Sequence, residues 1–340
     1  MTASRIPTAS RIATEIDFDR DGRQCDFLRL PHSVDRSAYG WIPIPMVCLR
    51  NGPGPRVLLM AGNHGDEFEG QVALAKLAHA LRPEQITGRV IILPMANAPA
   101  ARAGRRNSPV DGLNLNRCFP GDANGSPTEM IAHYLETVLL PQCDAVIDVH
   151  SGGQSLRYVP STHIRRSPDP ARFARAGALM AAFNAPYSWV FEGARETRAL
   201  NAAAERCGIV ALGTELSGGA TVTPQALRIA ERGLRRALAH LGALAADPAD
   251  EPAQPDRRLQ VGGYPFYVYA RDEGVFEPLV ALEDVVSAGQ PAALIHPVDT
   301  PWQPPVEARF AQAGVVVCAR VPGRVERGDC LFHLATEPAR

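Results

Sequence analysis

A short apolar run that leads directly into a glycine-containing turn occurs three times in this chain, and this pattern constrains the fold more than any other feature. The runs cover residues 57–61, 145–149 and 208–216. Each has the length and composition of a buried strand. In an open sheet of parallel strands, the loops at the carboxyl ends of the strands hold the functional groups. The three turns are therefore where we expect the chemistry of the protein.

Helix-like segments alternate with the apolar runs. A further strand is predicted at residues 89–94, and amphipathic helices are predicted at residues 71–81, 128–140, 171–183 and 224–244. This alternation predicts an α/β fold in which helices flank a mainly parallel sheet. Residues 98–125 are rich in Gly, Pro, Asn and Arg, so we expect a long loop there, and such loops are usually functional.

The sequence predicts four units along the chain. Residues 1–50 form an N-terminal tail and an edge hairpin, whose run at 41–49 contains Pro43 and Pro45 and so suits an edge strand. Residues 51–245 form the α/β unit. Residues 246–258 are rich in proline and charge and form a linker. Residues 259–340 form a smaller all-β C-terminal domain, because short apolar runs alternate there with turn residues.

Composition excludes several classes of partner. The formal net charge is -1, so neither nucleic acid nor an anionic membrane would attract the protein, and we expect a small-molecule ligand. The 7 cysteines are scattered and never in C-x-x-C spacing, which predicts a reduced protein and no cysteine-based zinc site. No stretch has the length of a signal peptide core or a membrane span. We therefore expect a cytoplasmic location.

Three residues in these turns have the chemistry of metal ligands. His64 and Glu67 follow the first strand, and His150 ends the strand at 145–149. Each of them alone is more often an ordinary surface or hydrogen-bonding residue. Together they bring mixed nitrogen and oxygen donors to the same sheet edge, which suits zinc. Three protein ligands leave a fourth position for water, as in catalytic sites. We predict one zinc ion per subunit.

Other polar residues are placed to act beside this site. Glu215 ends the third strand and can serve as general base and then general acid, or it is a surface residue at a strand end. In the long loop, Asn116 and Arg117 can hold a carboxylate. Arg105 or Arg106 can stabilise an oxyanion, although loop arginines usually face solvent.

Four motifs in this order resemble the succinylglutamate desuccinylase/aspartoacylase family, which is related to zinc carboxypeptidases. They are G-N-H-G-D-E at 62–67, N-L-N-R-C-F-P-G at 114–121, D-V-H-S-G-G at 148–153 and T-E-L-S-G-G at 214–219. The resemblance implies the roles proposed above for the metal ligands, for Glu215 and for Asn116 with Arg117; either Arg105 or Arg106 fits the oxyanion role. Relatives often have an aspartate at position 114 that orients the first histidine ligand, where this chain has Asn114.

Within that family, the segments at residues 31–33, 37–43 and 108–112 resemble the N-alpha-acetyl-L-2,4-diaminobutyrate deacetylases of ectoine breakdown. The resemblance implies a zinc-dependent amidohydrolase that removes an acetyl group from an N-acylated amino acid. The alternatives are a deacylase of the N-acetylaspartate or N-succinylglutamate type, or a metallocarboxypeptidase. A non-catalytic binding protein is least favoured, because such a protein has no need of Glu215.

The C-terminal β-rich region resembles lipoyl or biotinyl-like domains, but it contains no lysine, because Lys76 is the only lysine of the chain. It therefore cannot be a modified carrier. We expect it to cap the active-site cleft or to build a homo-oligomer.

Overall fold

The structure is a computed structural model that describes residues 9–191, 196–247, 253 and 255–338. Part of the predicted tail (residues 1–8) and much of the predicted linker (residues 248–252 and 254) lie outside the described residues.

The helices are α1 (Phe68–Ala80), α2 (Ala98–Ala103), α3 (Pro127–Tyr134), α4 (Pro170–Phe183), α5 (Leu200–Arg206) and α6 (Pro224–His240). The strands are β1 (Gly22–Pro31), β2 (Trp41–Asn51), β3 (Arg56–Ala61), β4 (Gly88–Leu93), β5 (Ala145–Val149), β6 (Leu156–Tyr158), β7 (Ser161–Arg165), β8 (Tyr187–Phe191), β9 (Val210–Glu215), β10 (Arg257–Val261), β11 (Tyr267–Tyr269), β12 (Gly274–Pro278), β13 (Val285–Val286), β14 (Pro291–His296), β15 (Val306–Arg309), β16 (Gly314–Arg320), β17 (Arg324–Val325) and β18 (Cys330–Ala335).

A sheet of nine strands forms the centre of the protein, in the order β1-β2-β4-β3-β5-β9-β7-β8-β10. Its middle strands β4, β3, β5 and β9 are parallel to one another, as are β7, β8 and β10. The pairs β1–β2, β2–β4 and β7–β9 are antiparallel. The predicted α/β fold with a mainly parallel sheet is confirmed.

The central strands are apolar on both faces because helices cover both sides of the sheet. Along β3, Leu59 packs with α1, α4 and α6 in one core, whereas its neighbours Leu58 and Met60 pack with α3 and α5 in the other. Consecutive side chains of a strand point to opposite faces, so a strand buried on both sides needs an unbroken apolar run. This explains why short continuous runs, and not alternating ones, predicted these strands.

Two local predictions are wrong. The run at 41–49 was expected to be an edge strand, but β2 lies between β1 and β4. Its prolines are tolerated because β4 pairs only with Val47–Asn51, so Pro43 and Pro45 lie where β2 has β1 as its sole neighbour. The expected loop at 98–125 begins with α2, an alanine-rich turn of helix that the Asn97 side chain caps by accepting from the Ala100 N–H.

The C-terminal region is rich in β-strands, as predicted, and beyond β10 its strands form antiparallel sheets. The strands β11, β18, β16 and β13 form one sheet, and β15, β14, β12 and β17 form another. Their inner faces enclose a separate apolar core. The boundaries of the four predicted units stay a prediction. Two strands, however, connect the α/β unit with the C-terminal unit. β10 belongs to the large sheet although its residues span the end of the linker and the start of the C-terminal unit, and β6 of the α/β unit pairs with β16.

Candidate active site

The register of three adjacent strands brings the predicted turns together. In β3 and β5, Met60 pairs with Asp148 and Ala61 with Val149, and in β5 and β9 Asp148 pairs with Gly213. Because the strands are parallel and in step, the residues that follow them emerge at the same sheet edge. His64, His150 and Glu215 therefore converge.

The turn after β3 is shaped by a close approach between two backbones. A Cβ atom on Gly65 would lie 2.0 Å from the carbonyl carbon of Ala100 in α2, so only glycine fits there. The Gly65 N–H donates to the Arg105 carbonyl at 2.9 Å. These contacts fix His64 on one side of the turn and the start of α1 on the other.

The three predicted metal ligands form one buried group. His64 Nδ1 lies 2.6 Å from Glu67 Oε1, and His150 Nδ1 lies 2.8 Å from Glu67 Oε2. Glu67 is the N-cap residue of α1, but its side chain makes no cap hydrogen bond and turns to the two imidazoles instead. One ligand atom from each residue lies within 4.8 Å of the others. This group can hold a metal ion, and its two nitrogens and one carboxylate are a donor set that zinc accepts.

The two histidines have different partners on their far sides. His150 Nε2 lies 2.7 Å from Asp148 Oδ2, which also accepts from Asn63 Nδ2 at 3.1 Å. His64 Nε2 lies 3.2 Å from Asn114 Oδ1. A carboxylate behind a ligating histidine fixes the ring and makes it a stronger donor. Asn114 contacts His64 as predicted, and it brings no charge.

Asp148 was missed by the sequence reasoning, although a signal was present. It lies in β5 two residues before His150, which directly follows the strand, and residues spaced by two along extended backbone share a face. A carboxylate on the same face as a candidate ligand is the pattern to look for.

The charges in this group compensate for burial. Burial alone would raise the pKa of Glu67, but the neighbouring imidazoles of His64 and His150 lower it far below its ordinary range. For His150, burial acts to lower the pKa, and the carboxylates of Asp148 and Glu67 raise it well above its ordinary value. Burial lowers the pKa of His64 against the opposing effect of Glu67. The two imidazoles therefore stabilise the charge of Glu67, and the carboxylates of Asp148 and Glu67 stabilise the charge of His150.

Glu215 lies in the same cavity with a different protonation preference. Burial raises the pKa of its carboxyl well above the ordinary value, and the charge of Glu67 raises it further. Its Oε2 atom is buried and has no hydrogen-bond partner among the described residues. A carboxylate in this state takes up a proton readily, as a general base must.

The long loop brings three of its five predicted residues, Arg106, Asn116 and Arg117, to the cavity. Arg106 Nη1 lies 3.3 Å from His64 Nδ1 and 3.6 Å from Glu67 Oε1. Asn116 accepts from the Leu200 N–H at 2.9 Å through Oδ1, and Arg117 donates to the Asn116 carbonyl at 2.7 Å. The Arg105 side chain is exposed and is not among the described residues that line the cavity. The structure thus separates the two arginines that the sequence left equal.

The metal-ligand group, Glu215, Arg106, Asn116 and Arg117 line one cavity of about 350 Å³. Its wall includes three residues that the sequence reasoning did not identify: Tyr158 in β6, His163 in β7 and Tyr267 at the start of β11. Burial lowers the pKa of His163 to about 3, so its imidazole is neutral at physiological pH. Tyr267 stacks on His333 with ring centroids 4.1 Å apart. The C-terminal region therefore contributes to the wall of the cavity.

A sequence profile of the succinylglutamate desuccinylase/aspartoacylase catalytic domain matches residues 53–241, which contain every residue of the metal-ligand group and Glu215. The chain belongs to this family. Among the described residues, no helix is both long and apolar enough to cross a membrane.

Three family relatives match nearly the whole chain. N-alpha-acetyl-L-2,4-diaminobutyric acid deacetylase from Halomonas elongata is 43% identical over 96% of this chain and 95% of its own length. The product-bound structure of the ectoine utilization protein EutE (DoeB) from Ruegeria pomeroyi superposes with a TM-score of 0.93 at 40% identity, covering 97% of this chain and 99% of that one. A succinylglutamate desuccinylase/aspartoacylase from Rhodobacter sphaeroides has a TM-score of 0.91 at 42% identity, covering 97% and 100%.

His150 has a carboxylate as its far-side partner and His64 has a neutral amide, and this difference gives the first prediction. Asp148→Asn removes the charge behind His150 and should weaken zinc binding by about 10- to 100-fold. Asn114→Asp places a carboxylate behind His64 and should strengthen it. Competition with a zinc chelator measures both affinities. Unchanged binding in Asp148→Asn together with weaker binding in Asn114→Asp would contradict this interpretation.

The raised pKa of Glu215 predicts how stability depends on pH. The folded state holds this proton more tightly than the unfolded chain, so the stability that Glu215 contributes is present at low pH and is lost as the pH rises through the raised pKa. Glu215→Gln should therefore raise the Tm of the metal-free protein at pH 8 and change it little at pH 4. The exposed Glu84 provides a control, Glu84→Gln, that should change neither. Equal effects of Glu215→Gln at both pH values would show that its pKa is not raised.

Proposed function

We propose that the protein is a zinc-dependent amidohydrolase that converts N-alpha-acetyl-L-2,4-diaminobutyrate to diaminobutyrate and acetate in ectoine breakdown. The observation that carries the proposal is the buried group of His64, Glu67 and His150, which shares a cavity with Glu215. The sequence identity of 43% to the Halomonas elongata deacetylase, over 96% of this chain, supports the choice of substrate.

The metal centre supplies one part of the chemistry. His64, Glu67 and His150 would hold the zinc ion, which when bound would supply a Lewis acid and a water whose pKa is lowered to about 7. Asp148 and Asn114 keep the two imidazoles oriented with Nδ1 inward. The absence of a Cβ at Gly65 lets the turn that carries His64 pack against α2.

Glu215 moves the proton. Its carboxylate takes a proton from the attacking water, and the water oxygen bonds to the amide carbonyl carbon. The same proton then passes to the amide nitrogen as the carbon–nitrogen bond breaks, which releases acetate and the free amine. A raised pKa suits both steps, because the carboxyl must hold the proton between them.

Positive groups bind the anionic parts of the substrate. Arg106, within 3.6 Å of Glu67, stabilises the negative charge that develops on the carbonyl oxygen. Asn116 and Arg117 hold the α-carboxylate of the amino acid. Arg117 also lies 3.4 Å from Glu196, which keeps its guanidinium oriented beside the cavity.

The cytoplasmic location and any homo-oligomer stay predictions from the sequence.

The test is amine release by the zinc-loaded protein from a panel of N-alpha-acetyl-diaminobutyrate, N-acetylaspartate, N-succinylglutamate and one peptide. We expect the diaminobutyrate compound to be turned over fastest. Glu215→Gln should lower kcat by about 10²- to 10⁴-fold while zinc stays bound, because only the proton transfer is lost.

Each other outcome overturns a defined part of the proposal. Faster release from another member of the panel would keep the hydrolase and discard the substrate. Near-normal kcat in Glu215→Gln would discard the role of that residue. If the zinc-bound protein released no amine from any member of the panel, the proposed hydrolase activity would be wrong.

A further inference from the structure

A second buried glutamate, Glu69, follows the ligand Glu67 by two residues, and the proposed chemistry does not use it. Glu69 is in the first turn of α1 and is fully buried, at 0% exposure. Its Oε2 accepts a hydrogen bond of 2.8 Å from Ser151 Oγ. Oε1 has no full hydrogen bond among the described residues, although the N–H of Gly218 faces the carboxylate. A buried carboxylate with so few partners is costly and needs an explanation.

Ser151 joins both glutamates of the E-F-E segment. Its backbone N–H donates to Glu67 Oε2 at 3.2 Å, and its hydroxyl donates to Glu69 Oε2. Ser151 also follows His150 directly in the chain. A single residue thus connects a ligand on the β5 turn with the ligand on α1 and with the helix turn below it.

The two elements that Ser151 connects are already in contact. A Cβ atom on Gly70 would lie 2.7 Å from Val149 Cγ1 and 2.8 Å from the Val149 carbonyl oxygen. The start of α1 therefore packs directly on the end of β5. Packing of this kind holds the two elements at a short distance, and the hydrogen bonds of Ser151 add a directional constraint to it.

We propose that Glu69 is a positioning residue, which through Ser151 sets the start of α1 against the end of β5 and so fixes Glu67 relative to His150. This inference rests on the proposed metal-dependent function. A hydrogen bond is directional and weakens steeply when the angle between donor and acceptor is distorted. Such a bond supplies the directional constraint that the apolar contact lacks, and the nearby Gly218 N–H extends it toward the turn that follows Glu215.

The test is the zinc affinity of folded variants, measured by competition with a chelator. The kcat, the KM and the Tm of the metal-free protein are measured on the same variants. Glu69→Ala should weaken zinc binding by about 10- to 100-fold and lower kcat with little change in KM. Glu69→Gln should recover most of the affinity, because the amide oxygen still accepts from Ser151 Oγ. Ser151→Ala removes the same bond from its other end, leaves the backbone N–H to Glu67 in place, and should weaken zinc binding in the same direction.

A matched control separates positioning from general stability. Ser188 Oγ donates to Asp256 Oδ2 at 2.7 Å, a serine–carboxylate bond that lies outside the metal-ligand group. Ser188→Ala should lower the Tm and leave zinc affinity unchanged. The double variant Glu69→Ala with Ser151→Ala should bind zinc no more weakly than Glu69→Ala alone, because both changes remove one interaction.

The outcomes distinguish this inference from the function on which it rests. Normal zinc affinity in both Glu69→Ala and Ser151→Ala, with a lower Tm, would show that Glu69 serves stability alone and would overturn the positioning role while the function stands. If Glu69→Ala does not fold, Ser151→Ala decides by the same criterion. Failure of the unaltered protein to bind zinc would overturn the proposed function and this inference together.

Discussion

The in-step alignment of the parallel strands β3, β5 and β9 is the constraint on which the site depends. β3 and β5 are buried on both faces, whereas β9 alternates between buried and half-buried residues. The register of the three strands is set by packing against the two apolar cores. A slip of one residue in β5 would turn His150 and Asp148 to the opposite face of the sheet. The chemistry at the sheet edge is therefore positioned by hydrophobic packing that lies well below it.

Four carboxylates lie close together at the edge of the sheet, above this apolar packing. Glu67, Glu69 and Asp148 are all buried, and Glu215 faces the same cavity as Glu67 and Asp148. Burying charge is unfavourable unless it is paired, and here the pairing comes from two imidazoles, from hydroxyl and backbone donors, and from Arg106. Burial raises the pKa of Glu215 and the nearby charge of Glu67 raises it further, while its Oε2 has no hydrogen-bond partner among the described residues. Incomplete compensation at one position is what makes that carboxyl useful as a base.

Much of the fold was predictable from the sequence because its signals are local. Continuous apolar runs predicted the central strands, and glycine turns predicted where they end. The placement of His64, Glu67, His150 and Glu215 at one edge followed from the general geometry of parallel sheets. Two elements were not predictable from local signals. The helix α2 has too few residues to show helical periodicity. The prolines of β2 indicated an edge strand because the sequence does not show how far β4 extends along β2.

The remaining features of the site depend on contacts between distant parts of the chain. The choice between Arg105 and Arg106 depends on how the long loop folds back over the β3 turn, and no local pattern encodes that. Tyr267 reaches the cavity because β6 pairs with β16 and β10 joins the large sheet, so two units that are separate in sequence interlock. The pairing of Glu69 with Ser151 likewise joins residues 82 positions apart.

The central claim is that His64, Glu67 and His150 form a single metal centre on which catalysis depends. The most direct measurement is a stepwise zinc titration of the metal-free protein, with acetate release from N-alpha-acetyl-diaminobutyrate followed at each step. The account predicts that the rate rises from near zero in proportion to added zinc and levels off at one zinc per chain, and that His150→Ala abolishes the rise. Full activity in the metal-free protein, or a rise that His150→Ala leaves intact, would contradict it.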